Sequence, residues 1–240
     1  MRHEGSIIQI CLALALVLNI LFWLSVRDVK SRWSNVPPPP NIKYASIYGL
    51  GDASFAYRLN GIMMQNLGDT GGRVTPLKDY NYETLGRWFY LQDSLDPVSN
   101  FTPYLAAYYF SNVQKPEMLP PLLDYLSDIG NRPYGEKWRW LAQGVFLARY
   151  QLKDLDRALE MANALANTKN DNVPVWVHQM PAFVLSARGE KEAAYAILLE
   201  ILKSRGEKLH PNEVNATKAY ICTRILGKED AAVNPLCESL

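Results

Sequence analysis

Between residues 136 and 206 the chain repeats itself. EKWRWLAQGVFLARYQLKDLDRALEMANALANT is followed by VPVWVHQMPAFVLSARGEKEAAYAILLEILKSRG. Each is an aromatic-led apolar run, a short polar turn and an Ala/Leu-rich run. Trp138 and Trp176 stand 38 positions apart, and Ala158 and Ala194, each near the start of a second helix, stand 36 apart. This recurrence constrains the fold more than any other feature, because one helical hairpin cannot bury its apolar face alone and neighbours must stack. The pattern extends both ways. Phe101 lies 37 positions before Trp138, which puts residues 101–130 in the same register. Gly227-Lys228-Glu229-Asp230-Ala231-Ala232 echoes Gly189-Glu190-Lys191-Glu192-Ala193-Ala194 38 positions later, and Pro235 cuts the last helix short as a terminal cap would be cut. The expected fold is all-α, a single N-terminal transmembrane helix followed by an α-solenoid of helical hairpins over residues 101–240.

Residues 1–6 are a polar tail. Residues 7–25 carry no charge, and at about 1.5 Å per residue they cover roughly 28 Å, close to the hydrocarbon thickness of a bilayer. A cleaved signal peptide has a shorter apolar run and a small-x-small site. Phe22-Trp23-Leu24-Ser25-Val26-Arg27 offers no such site, Ile10 is bulky before Cys11 where a lipoprotein signal has a small residue, and Trp23 suits an interfacial anchor. An uncleaved single-pass anchor is therefore expected. Arg27, Lys30 and Arg32 follow the span and only Arg2 precedes it, a count that alone places the large domain in the cytoplasm. A short tail, one span and a large domain is also the layout of a bacterial inner-membrane protein with a periplasmic domain, and long domains translocate largely regardless of charge. The extracytoplasmic side is the expectation.

Residues 26–47 read as a juxtamembrane linker. Its four consecutive prolines, 37–40, favour a polyproline helix that holds the domain off the membrane. Residues 48–100 read as a helical capping region that fits the repeat poorly. Within it Asp52 is the expected N-cap of a helix whose Phe55, Leu59, Ile62 and Met63 recur at helical spacing. Tyr48-Gly49-Leu50-Gly51-Asp52 has glycines like a nucleotide loop but no preceding strand.

Formal net charge is +1, so nothing in the composition argues for nucleic acid. His3, His178 and His210 are isolated, without Cys or carboxylate neighbours at ligand spacing, and no metal or cofactor is expected. No nucleophile, phosphate-loop or zinc-protease motif occurs, so no small-molecule substrate is expected either. The alternative is a glycan-processing enzyme of the cell envelope, with a catalytic carboxylate hidden among the many helical acids.

With Leu152-Lys153-Asp154-Leu155-Asp156-Arg157-Ala158 and the Gly189–Ala194 turn, the chain resembles the tetratricopeptide-repeat superfamily over about residues 101–240. Its spacing is 36–38 residues, where that family has 34. The resemblance implies a right-handed stack whose concave face, lined mainly by first helices, holds a peptide or protein. The implied role is a scaffold or adaptor binding protein partners in a membrane-associated assembly.

Aromatic residues are the candidates for holding that partner: Tyr104, Tyr108, Trp138, Trp140 and Trp176. Trp138 and Trp140, two apart on a helix, point about 200° apart, so they cannot both face one packed side. At least one belongs on a surface or between units. Near the C-terminus, Cys222 and Cys237 flank a turn that lets the chain double back. A disulfide needs the two Cα atoms within roughly 5.5–6 Å. The other reading is two thiols packed as small apolar side chains.

Overall fold

The computed structural model describes residues 2–27, 35–70, 73–133, 135–168 and 173–238. Two units divide it, Met1–Ser34 and Asn35–Leu240. The first is built on one helix, α1 (Arg2–Val26), of which Ile7–Val26 is long and apolar enough to cross a membrane. Two of its polar side chains turn back on the helix. Asn19 donates to the Ala15 carbonyl at 3.0 Å and Ser25 to that of Phe22 at 2.7 Å.

The second unit begins in the proline run, which is fastened to it. Val36 is 1% exposed and belongs to the core. Asn35 donates to the Asp79 carbonyl at 2.9 Å, and the indole Nε1 of Trp88 donates to the Pro37 carbonyl at 2.6 Å. The expected spacer therefore does not stand clear of the domain over residues 35–37. Proline carbonyls keep full acceptor strength although the ring removes the N–H, and that leaves Pro37 a partner for a buried indole.

Helices follow in chain order, and short polar side chains cap the first three of them. Asn41 caps α2 (Ile42–Tyr48), Asp52 caps α3 (Ala53–Gln65) and Asn81 caps α4 (Tyr82–Leu95), each side chain accepting from the backbone N–H three residues on. A two-residue antiparallel ladder, Asp69–Thr70 with Arg73–Val74, separates α3 from α4. Next come α5 (Phe101–Tyr104), α6 (Pro120–Gly130), α7 (Trp138–Leu147) and α8 (Leu155–Ala166). The chain continues through α9 (Val175–Arg188), α10 (Lys191–Arg205), α11 (Pro211–Tyr220) and the short α12 (Lys228–Ala232). From α6 to α10 each helix packs against the next in the chain. Gly130 marks a close crossing. A Cβ there would stand 2.6 Å from the Leu141 backbone nitrogen, so α6 and α7 approach along bare backbone.

Three of the first helices end alike. α5 runs into a π-helical turn at Leu105–Tyr109, α7 into one at Ala148–Leu152 and α11 into one at Ile221–Ile225. Such turns hold an extra residue and re-aim the side chains around them. The fourth, α9, carries Pro181 inside it and ends at Gly189, whose φ of 88° suits glycine.

One buried cluster runs from Val36 through Val184, so residues 48–100 share their core with the hairpins that follow. At its centre Phe89 sits 5.6 Å from Phe110 and 5.1 Å from Tyr125, ring to ring. A second cluster, on Ala182, Leu198, Ile221 and Ile225, closes the C-terminal end. There Cys222 and Cys237 are joined in a disulfide, their Cα atoms 5.9 Å apart.

Candidate functional site

The face of α7 defines a groove. Ala142, Val145, Phe146, Arg149 and Tyr150 lie at i, i+3, i+4, i+7 and i+8, one side of a helix carried on into its π turn. Met180 and Phe183 of α9 and Tyr220 of α11 form the opposite wall of a cavity of about 380 Å³. Its aromatic rings are paired. Phe146 and Tyr150 are 4.9 Å apart, Phe183 and Tyr220 4.8 Å. The Arg149 guanidinium lies 4.8 Å over the Tyr150 ring and is the one charged group lining this cavity. Phe146 and Tyr150 are 49% and 54% exposed, and a paired aromatic surface of this kind is what partner anchors use.

A second hollow of about 370 Å³ begins on the other side of Phe146, between α7 and the π turn after α5. Tyr108 and Asn112 line it from one side, Gln143, Phe146 and Gln151 from the other. Tyr108 also meets Tyr104 at 5.1 Å and Trp140 at 6.3 Å. Phe146 is thus the shared wall of two adjoining hollows crossed by first helices.

The five candidate aromatics divide. Tyr104, Tyr108 and Trp140 come together at one end of this surface, with Trp140 donating its Nε1–H to Asn100 Oδ1 at 2.8 Å. Trp138 does not join them. It is 4% exposed, within the main core, and packs its ring on Trp176 at 5.6 Å, so it is an inter-helix core residue and not an open anchor. The 200° divergence of Trp138 from Trp140 is resolved with Trp138 inward. Phe146, Phe183 and Tyr220 are not among those five, yet each lies 37 residues after the one before. That period is visible in the sequence to a count made one aromatic per unit.

A different kind of site lies in the core. Asp93 forms an ion pair with Arg132 at 2.5 Å, and Lys137 donates its Nζ to the Ser99 carbonyl at 2.7 Å. Tyr57 reaches the same corner through Ser99 Oγ at 2.8 Å, and Gln92 donates to the Tyr57 carbonyl at 3.0 Å. Burial pushes the Asp93 carboxyl above its ordinary value while Arg132 and Lys137 pull it back down. Burial likewise lowers the Lys137 ammonium. Asp93 is the described acid with a raised pKa, and it lines none of the hollows above, being 5% exposed and committed to Arg132. Among the described residues no group of three His, Cys, Asp or Glu is placed to hold a metal ion. What the groove can do is bind an apolar or aromatic side chain and complement one negative charge beside it. Compared with family models, curated proteins and solved structures, the chain matches none.

Proposed function

We propose that this is a membrane-anchored scaffold of tetratricopeptide-like repeats, its C-terminal domain on the extracytoplasmic side, whose groove takes a segment of a protein partner. The observation that carries the reading is the aromatic groove between α7, α9 and α11, in which Phe146 is exposed and Phe183 and Tyr220 are half-buried, the three recurring at 37 residues. A repeat stack explains that period, because each unit presents the same position of its first helix to the same face. Contacts at one repeat length support the stack. Trp138 meets Trp176, Gln179 donates to Thr217 at 2.7 Å, Lys137 to Ser99 at 2.7 Å and Tyr90 to Asp128 at 2.6 Å, every pair 38 residues apart. The segment recognised carries an aromatic or branched apolar anchor next to a carboxylate, which Arg149 complements.

The test is in-cell photo-crosslinking from a benzophenone side chain placed at Met180 of the full chain. A discrete partner is expected, and F146S/Y150S should abolish its capture. Capture unchanged by F146S/Y150S and by Arg149→Glu would remove the groove from the reading.

A further inference from the structure

α3 is apolar on two opposite faces. Ala56, Tyr57 and Met64 turn into the core. On the other side Phe55, Leu59, Ile62 and Met63 stand at i, i+4, i+7 and i+8, and they are 46%, 38%, 58% and 37% exposed. A helix on a water-facing surface carries polar side chains there. α2 repeats the anomaly with Tyr44, Ile47 and Tyr48, each more than 60% exposed. Between the two helices Leu50 is 93% exposed and holds a φ of 54°, in the left-handed region that a leucine rarely occupies. The chain thus presents Leu50 outward in a conformation that favours glycine.

The position of this face in the chain says what covers it. Residues 35–37 are fixed to the domain by the buried Val36 and by the bonds to Asn35 and Pro37. Eight residues, 27–34, separate the end of α1 from that attachment, and eight extended residues reach at most about 29 Å. The attached face begins only seven residues later, at Ile42. Between Arg27 and Arg58 the sequence holds five cations against two acids, a balance that favours anionic headgroups. Tyrosines on α2 suit the headgroup level, and the leucine, isoleucines and phenylalanine suit the acyl boundary just beneath it.

We propose that the outward faces of α2 and α3 lie on the bilayer that α1 spans, with Leu50 at the deepest point, as a second, interfacial attachment of the domain. The proposal rests on α1 being a membrane span, and it is independent of what the groove binds.

The full chain in nanodiscs of phosphatidylcholine and phosphatidylglycerol tests it by nitroxide accessibility. Labels go on native Cys11, and, with Cys11→Ser, on Ile47→Cys, Leu50→Cys and Lys203→Cys in turn. Oxygen and a water-soluble nickel chelate serve as the two relaxing agents. Positions 47 and 50 are expected to lose nickel collisions and keep oxygen, as Cys11 does, while position 203 shows the reverse. A nickel-accessible Cys11 overturns the span and the proposal with it. Cys11 in lipid with positions 47 and 50 as open to nickel as 203 overturns the proposal alone. Exclusion of both agents at 47 and 50 overturns it in favour of a protein cover.

Discussion

Trp138 and Trp176, 38 residues apart, bring their rings to 5.6 Å at a 59° tilt, so the starts of α7 and α9 touch. Trp138 is buried and Trp176 more than one third exposed. Trp138→Ala is expected to cost about 3–5 kcal/mol, the range for emptying a core aromatic. Trp176→Ala should cost less, and a double-mutant cycle should leave a coupling of about 0.5–1.5 kcal/mol between the rings. Urea unfolding of the four proteins measures it. Strict additivity would mean that the rings are neighbours without interaction.

Arg132→Leu leaves the Asp93 carboxylate buried without its ion-pair partner. The loss should be about 3 kcal/mol, the lower end for breaking a buried pair because the arginine retains some solvent contact. Acidity sharpens the test. Asp93 has a raised folded pKa, so the native state holds its proton to higher pH than the unfolded chain does. Its contribution to stability is therefore lost as pH rises from the ordinary carboxylate value of 3.8 through the raised one. Lys137 runs the other way in sign of charge. Its lowered folded pKa makes stability rise with pH on the approach to 10.5. Urea midpoints between about pH 4 and pH 8 should show the wild type losing ground to Asp93→Asn as pH increases. A pH-independent difference would contradict the burial of the charge.

The helical character of residues 101–240 is legible in the sequence through the periodic apolar runs that recur at 36–38 residues. Asp52 is readable as an N-cap because a short side-chain acceptor ahead of an apolar periodic run has few other uses. The polar core is not legible in this way. Asp93 and Lys137 look like solvated helix charges, and their burial depends on Ser99, Arg132 and Tyr57 arriving from other elements. The docking of Pro37 on Trp88 spans 51 residues and leaves no periodic trace. The groove is half legible. Tyr108 and Trp140 stand out in the sequence, while Phe146, Phe183 and Tyr220 carry a period that nearby aromatics obscure.

The Cys222–Cys237 bond closes 15 residues around the last turn of the chain. Opening it should cost about 3 kcal/mol in the chain-entropy model. The loss should be local. Hydrogen exchange at Ile221–Ile225 is expected to accelerate after reduction, while α6 and α7 keep their protection. Protein taken from its native compartment should show neither cysteine alkylated until a reductant is added. Alkylation of both without reductant would rule the bond out there.

Lys153 ends the first helix of its unit with a φ of 60°, and Gly189 ends the next with 88°. Only the glycine does so without crowding its own Cβ. The penalty for an L side chain is about 1–2 kcal/mol. Lys153→Gly should recover roughly 0.5–1 kcal/mol of it, the rest being offset by the freedom that glycine adds to the unfolded chain. Gly189→Ala should move stability in the opposite direction. Thermal midpoints of the two variants check both signs.

The hold of Trp88 on Pro37 decides how the domain responds when its tether is pulled. Tension arriving along the residues before Asn35 does not reach a loose end that could peel away one residue at a time. It meets Asn35, the buried Val36 and the Trp88 indole within three consecutive residues. The load enters at α4, beside the buried Phe89 and Tyr125 rings of the main core. A pull on the tether is thus felt by the core before it is felt by any helix end.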